Sequence, residues 1–313
     1  MGRIRSIKQQ ITYAVRQSHT KGVSKRYEKL NNPKWQERGQ SWSYQTLENR
    51  LETAKQFSKF MSENYSDIKK ASEITSEHFN SFLQDGASLG WSKATLDARA
   101  SDCRAIAREL DTTYHIAHEL QPNYRVDIKS PNVEAKTTVR TNKGIEADDL
   151  RKLETSCSET LYKALTLAHT FGLRAEGLAT VKGKNIYRAE DGTVHCTITE
   201  KGGRERDITA LNRELGEKAF SIAKVVNPEE RIMPVKADSL SRALTRQMER
   251  TGLKEKYPKV SMHAVRKSFA QECYDNYRKN HTKHETIRYV NEQLGHGADR
   301  DVALLALYVE NIH

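Results

Sequence analysis

The chain has 313 residues, enough for two domains of about 100 to 200 residues each and a sizeable buried core. Its 52 Lys and Arg against 41 Asp and Glu leave a net charge of +11, with a pI near 9.3 and a mean hydropathy of −0.79, a balance that favours a soluble protein meeting a polyanion. No apolar run approaches the roughly 18 residues of a membrane span, and the opening 30 residues are basic and polar where a signal peptide needs an apolar stretch, so export and membrane partners are not expected. Cys103, Cys157, Cys196 and Cys273 are widely spaced with no C-x-x-C, which suggests neither a disulfide framework nor a thiolate zinc site, and a reducing cytoplasm is the default.

Residues 1–40 carry ten Lys or Arg against Glu28 and Glu37, supplying +8 of the +11. They read as a basic N-terminal arm, either solvated or lying along phosphates. From Ser41 the pattern turns helical, with Leu47, Leu51, Ala54, Phe57 and Met61 recurring every three or four residues. A second short helix is predicted around Ile74 to Leu83. A third begins after Ser92, a suitable N-cap, and carries Leu96, Cys103 and Leu110 seven apart. These helices make a small bundle over residues 41–125. On the third, Arg104 and Arg108 share a face that could track a DNA backbone or be solvated. Residues 126–144, with Pro131, Lys129, Lys136, Arg140 and Lys143 and little periodicity, read as a basic linker.

A second domain, 145–313, opens with a helix through Leu150 and Leu153 and another carrying Leu161, Ala164, Leu165, Ala168 and Phe171. The period then changes. Residues 183–209 read as a three-stranded antiparallel meander: Asp191-Gly192 is a hairpin turn, Val194, Cys196 and Ile198 alternate with polar residues, and Gly202-Gly203 makes a second turn. Helices return from about Arg213. After Ser239, Leu240, Leu244 and Met248 fall on one helix face while Arg242, Arg246 and Arg250 fall on the other, a positive stripe that could meet a groove. The fold class is mainly α with a small β-meander, an α+β arrangement.

Five segments of the second domain hold residues suited to chemistry: Arg174 in TFGLRAEGL, Lys201 in TEKGGRERDI, His263 and Arg266 in HAVR, His296 in LGHG and Tyr308 in LALYVENIH. Singly, each has an ordinary explanation. A capping arginine, a solvated turn lysine, a loop histidine and a half-buried tyrosine are all common. Taken in this order and in these structural settings, the set resembles the tyrosine recombinase (phage integrase) family of DNA strand-exchange enzymes, closely over residues 145–313 and more loosely over the helical residues 41–125. HAVRKSFA, LGHG and a tyrosine twelve residues beyond His296 are its most specific parts.

The resemblance implies a core-binding helical domain followed by a mixed catalytic domain, and an activity that cuts and rejoins duplex DNA site-specifically through a 3′-phosphotyrosyl intermediate. Arginine forks suit the charge that develops on non-bridging phosphate oxygens, a role carried over to Arg174 and Arg266. His296 would donate to the same phosphate and His263 would accept the nucleophile's proton. Tyr308 would be the nucleophile; a phenol of pKa about 10 needs positive neighbours or a base. Lys201 would be the acid for the leaving 5′ oxygen, its hairpin brought close to DNA by Gly202 and Gly203. Arg104, Arg108, Arg204, Arg242 and Arg246 are the candidate DNA-binding residues. The phosphotyrosyl ester conserves the energy of the broken linkage, so neither ATP nor a metal is expected. H-E-x-x-H, clustered aspartates and a P-loop are missing from the sequence, and His115 with His118 and His281 with His284 have no evident third ligand.

The family usually has an acid three positions after its first arginine; here that position is Gly177, with Glu176 at two, and Glu176 is left outside the site. Between Arg266 and His296 the stretch DNYRKNHTKHETIRYV is longer than the common pattern and suggests an extended helix or an extra loop. Five residues follow Tyr308, too few for a stable helix of their own, so subunit contacts would come from a short tail or from elsewhere. The expected partners are double-stranded DNA and further copies of the chain, a dimer on a site and a tetramer in synapsis. The expected location is cytoplasmic, associated with a prokaryotic nucleoid. Two other functions fit less of the pattern: a DNA-relaxing enzyme of type IB topoisomerase kind, and a non-catalytic basic DNA-binding protein.

Overall fold

The computed structural model describes residues 5–20, 22–23, 25–32, 41, 43–114, 127–134, 144–200, 204–296, 305–310 and 312. Two compact units divide the chain, Met1–Thr137 and Thr138–His313.

The first unit is helical. Its α1, Ile7–Gln17, starts at a Ser6–Gln9 capping box and buries Ile11, Ala14 and Val15. Next come α2, Lys25–Asn31, and α3, Tyr44–Asn64, the latter capped by Ser43. Among the described residues two further α-helices follow, α4 at Ser76–Ser88 and α5 at Lys93–Tyr114. The Ser92 hydroxyl accepts from the Thr95 N–H at 3.2 Å, the predicted cap of α5. Leu96, Cys103 and Leu110 are all buried. Phe57 stacks on Phe79 at 4.3 Å and meets Phe82 edge-on at 5.5 Å, giving the core its aromatic centre.

Two features of this unit differ from the sequence reading. Residues 7–17, expected to be part of a basic arm, form a helix whose apolar stripe belongs to the core formed by α3, α4 and α5. Gln10 fixes that packing: its side-chain N–H groups donate to the Arg5 and Lys69 carbonyls at 2.8 Å, and its Oε1 accepts from the Ala71 N–H at 2.9 Å. Residues 127–134, expected to be linker, include Ile128, which is fully buried in the same core, while Asn80 holds the Asp127 carbonyl and the Lys129 N–H. An isoleucine whose backbone is clamped on both sides is part of the domain.

Near the start of the described part of the second unit, Ile145 buries its side chain and exchanges two hydrogen bonds with the Ser268 hydroxyl, at 2.8 and 2.7 Å. Helix α6, Ala147–Ser156, leads to α7, Glu159–Phe171, capped by Ser158 and buried continuously from Ala164 to Phe171. Helix α7 ends at Gly172 with φ 58°, where a side chain would also collide with the Phe269 ring, so glycine is required twice over. The short α8, Ala175–Thr180, follows.

Strands β1 (Ile186–Arg188), β2 (Val194–Glu200) and β3 (Arg204–Thr209) form the predicted antiparallel meander in the order β1-β2-β3. Its register pairs Ile186 with Cys196 and Cys196 with Ile208, so one face feeds the core. The other face carries Tyr187, His195 and Asp207, joined by hydrogen bonds of 3.0 and 3.1 Å. Helices α9 (Arg213–Lys224), α10 (Ala237–Arg250), α11 (Met262–Arg278) and α12 (Lys283–Gln293) complete the described unit. The long stretch before His296 is thus an extended α11 and a turn into α12, closed by Tyr277 stacking on His281 at 3.7 Å and on Tyr289 at 4.0 Å. No described helix is long and apolar enough to cross a membrane.

Candidate active site

Four elements of the second unit deliver the residues singled out from the sequence. Arg174 is the N-cap residue of α8, two positions past Gly172, and is half-buried. His263 and Arg266 stand three apart in the first turns of α11, on one face. Here the helix inverts the usual exposure, because His263 is exposed and Arg266 has 0% of its surface open to solvent. A buried guanidinium needs acceptors. Arg266 finds them on two backbone segments, donating from Nη1 to the Gly172 carbonyl and from Nη2 to the Leu294 carbonyl. One side chain therefore joins the loop leading to Arg174 to the turn leading to His296.

That turn closes α12. Gly295 takes φ 70° after Leu294, the Gly295 N–H donates to the Glu292 carbonyl at 2.9 Å, and the His296 N–H donates to the Asn291 carbonyl at 2.8 Å. This pair of bonds is a Schellman closure, with Gly295 in the left-handed position and His296 immediately after it. The glycine of LGHG is there for its backbone; its neighbour's imidazole is thereby aimed.

Tyr308 is half-buried between two apolar pegs, Leu305 and Val309, which are 0% and 3% exposed. Its N–H donates to the Leu305 carbonyl at 2.8 Å, and the following Glu310 N–H donates to the Gln271 side chain on α11 at 2.7 Å. So held, the phenol ring lies 5.2 Å from the His263 ring and 4.9 Å from the His296 ring, with the Arg266 Cζ 5.7 Å from its centroid. Residues separated by 45 positions in the sequence thus meet around one phenol.

The site is strongly positive. His263 keeps an exposed edge, yet packing beside Tyr308 takes part of the water from its imidazole, and Arg266, Lys267 and Arg174 repel a proton from it; together these push its pKa down to about 4. His263 is therefore neutral near pH 7 and has a lone pair to offer. Lys267, not anticipated from the sequence, is 9% exposed and contributes to this field. Arg206 was also missed. It is 6% exposed on β3 and donates from Nη1 to the Gln293 carbonyl at 2.5 Å, at the end of α12. A signal for it existed: Arg206 is two residues before the inward-facing Ile208, which places it on the buried face of the strand.

Lys201, with Gly202 and Gly203, lies outside the described residues, as do His115 and His118. Of Arg204 the structure describes only the backbone, which opens β3. Glu176 is exposed on α8. Arg242 and Arg246 are exposed on α10 opposite the buried Leu240, Leu244 and Met248, as the spacing predicts, and Arg242 pairs with Asp238 at 3.0 Å. Arg104 and Arg108 belong to the first unit and are half-buried there. Arg104 donates to the Ile128 carbonyl at 2.9 Å, and Arg108 lies within the field of Arg50 and Glu109.

Residues 135–272 match the family model described as Integrase. Solved structures share the fold. XerH site-specific recombinase, bound to its difH substrate before cleavage, has a TM-score of 0.59 at 17% identity, covering 97% of this chain and 91% of that one. A lambda integrase dimer bound to a COC′ core site gives 0.56 at 17% identity, covering 90% and 75% respectively. The Tn1549 transposon integrase in complex with circular intermediate DNA gives 0.52 at 12% identity, covering 98% and 95%. No curated protein sequence matches the chain.

Proposed function

We propose that this chain, whose second unit is that of a tyrosine recombinase of the integrase family, is a site-specific DNA recombinase that cuts and rejoins duplex DNA through a 3′-phosphotyrosyl intermediate. The observation that carries the reading is the position of Tyr308, with its ring flanked by those of His263 and His296 and with Arg266 beside it.

In the reaction the Tyr308 oxygen attacks the scissile phosphorus. A phenolic O–P bond forms, the P–O5′ bond breaks, and the phenol's proton passes to His263, which is neutral in the free protein and whose basicity rises when the bound phosphate's negative charge offsets the cations around it. Arg174, Arg266 and His296 stabilise the charge gathering on the non-bridging oxygens. Lys201 supplies a proton to the departing 5′ oxygen. The 5′-hydroxyl of a second strand then reverses these steps and restores a phosphodiester, so the exchange runs without ATP and without a metal ion.

XerH, lambda integrase and the Tn1549 integrase were each solved on DNA, and lambda integrase also as a tetramer on a Holliday junction. By that likeness the chain acts on double-stranded DNA, as a dimer on one site and a tetramer when two sites are brought together, in the cytoplasm of a host whose nucleoid holds its target. Exposed Arg242 and Arg246 supply phosphate contacts.

Incubating the protein in chelator with DNA from its own genomic flanks, then mapping covalently attached ends, tests the assignment. Attachment to 3′ ends through Tyr308 is expected. Adducts on 5′ ends, or none on any flank, would contradict it.

A further inference from the structure

The end of α12 can be accounted for bond by bond. A helix leaves its last four carbonyls without intrahelical donors. Here the Val290 carbonyl accepts from the Leu294 N–H, and the Asn291 and Glu292 carbonyls accept from the His296 and Gly295 N–H groups in the Schellman closure. The next two carbonyls, of Gln293 and Leu294, receive guanidinium donors from Arg206 on β3 and Arg266 on α11. Positive charge at a helix C-terminus is favoured, and charge-assisted bonds there are stronger and geometrically narrower than neutral ones.

Arg206 is built into this position. It is 6% exposed, and a Cβ at Gly295 would collide with its Cδ, so its aliphatic stem lies directly against the glycine whose left-handed φ aims His296. A second bond from the same strand converges on the same residue: the Thr209 N–H donates to the Gln293 side chain at 3.3 Å. The sheet thus grips the α12 terminus at Gln293, while α11 grips it at Leu294. Both grips fix the backbone from which the His296 ring projects.

From this we infer that Arg206 is a positioning residue that acts through His296, setting where the imidazole meets the scissile phosphate. The catalytic part of this inference rests on the recombinase reading; the geometric part does not. A donor misplaced by about 1 Å costs up to about 100-fold in rate, so a buried side chain that sets the His296 turn is a rate-determining feature without contacting substrate.

Two variants test it in the full chain. Arg206→Met keeps the stem and removes the fork; Arg206→Lys keeps the charge with one compact donor group. The first readout is the imidazole Cε1–H resonance of each histidine by NMR. In Arg206→Met the His296 signal and its titration midpoint should shift while His78, in the first unit, stays unmoved, with Arg206→Lys intermediate. An unmoved His296 signal in either folded variant overturns the proposal, whatever the activity. The second readout is single-turnover formation of covalent adduct. Arg206→Met should slow it about 10- to 100-fold with DNA affinity within about 2-fold, yet slow it less than about 3-fold further in a His296→Ala background, because effects that run through one residue do not add. Full additivity would make Arg206 a structural residue only. If wild-type protein forms no adduct on any DNA, the recombinase reading fails while the NMR result still decides the role of Arg206.

Discussion

The Cζ of Arg266 lies 5.7 Å from the ring centroid of Tyr308, so the most deeply buried guanidinium among the described site residues sits beside the proposed nucleophile. Arg266 also spans the Gly172 and Leu294 carbonyls, which makes one residue both a scaffold for the site and a member of it.

Truncating Arg266 should therefore cost stability as well as activity. Arg266→Ala leaves two buried carbonyls without these donors, each worth about 1 to 3 kcal/mol, besides the cavity left by the stem. A loss of at least about 3 kcal/mol from the second unit is expected, with faster hydrogen exchange in α7, α11 and α12. Unchanged protection in those helices would show that the two bonds are not holding the unit together.

His263 predicts a pH dependence. Its folded pKa is about 4 against an ordinary value of 6.5, so between those limits the unfolded chain binds more protons than the folded one. Stability supplied by this group is present above about pH 6.5 and is lost as pH falls toward 4. Urea midpoints of His263→Gln should decline less steeply over that window than those of wild type, by a margin reduced because the His263 side chain is itself open to water. Parallel curves would mean that neither desolvation nor the surrounding cations act on this ring.

Glu109 in the first unit has the opposite sign. Burial pushes its carboxyl up to about 7 against the pull of Arg50 and Arg108, so its contribution is fully present below about pH 4.5 and fades as pH rises through 7. The decline is about 3 kcal/mol, taking 1.36 kcal/mol for each pKa unit. Trp91 packs edge-on against Phe82 in the core of this unit, and the sequence has no tryptophan beyond it, so tryptophan fluorescence follows this unfolding. Glu109→Gln should remove that fall between pH 5 and 8; an undiminished fall in the variant would assign it elsewhere.

The arginine stripe of α10 gives a prediction about salt. The Arg242–Asp238 pair is exposed and worth little, so a phosphate can take its place. Replacing Arg242 and Arg246 with alanine should weaken DNA binding and flatten the log–log salt dependence by about one unit for each lost phosphate contact. A slope equal to wild type would mean that this face meets solvent in the complex.

Much of this architecture was legible in the sequence. The α10 stripe, the Ser92 cap and the Asp191-Gly192 turn are local patterns, and the structure follows each. Helix α1 was hidden by its own charge: Arg5, Lys8 and Arg16 mark residues 1–40 as a basic arm, solvated or along phosphates, while Ile11, Ala14 and Val15 carry the buried stripe between them. Ile128 was hidden among prolines and lysines, since one apolar residue has no period. The approach of His263, His296 and Tyr308 follows from packing of α11 against α12 and from the Leu305 and Val309 pegs, contacts that no spacing encodes. Arg206 lay on the readable inward face of β3, but its acceptor is 87 residues away.

The most direct test of the central claim compares wild type with Tyr308→Phe on a duplex carrying the target site, counting protein–DNA linkages that survive denaturation. The account predicts that the variant forms none and binds the duplex with wild-type affinity. Linkages at the wild-type level in Tyr308→Phe would place the nucleophile elsewhere and dissolve the site described above.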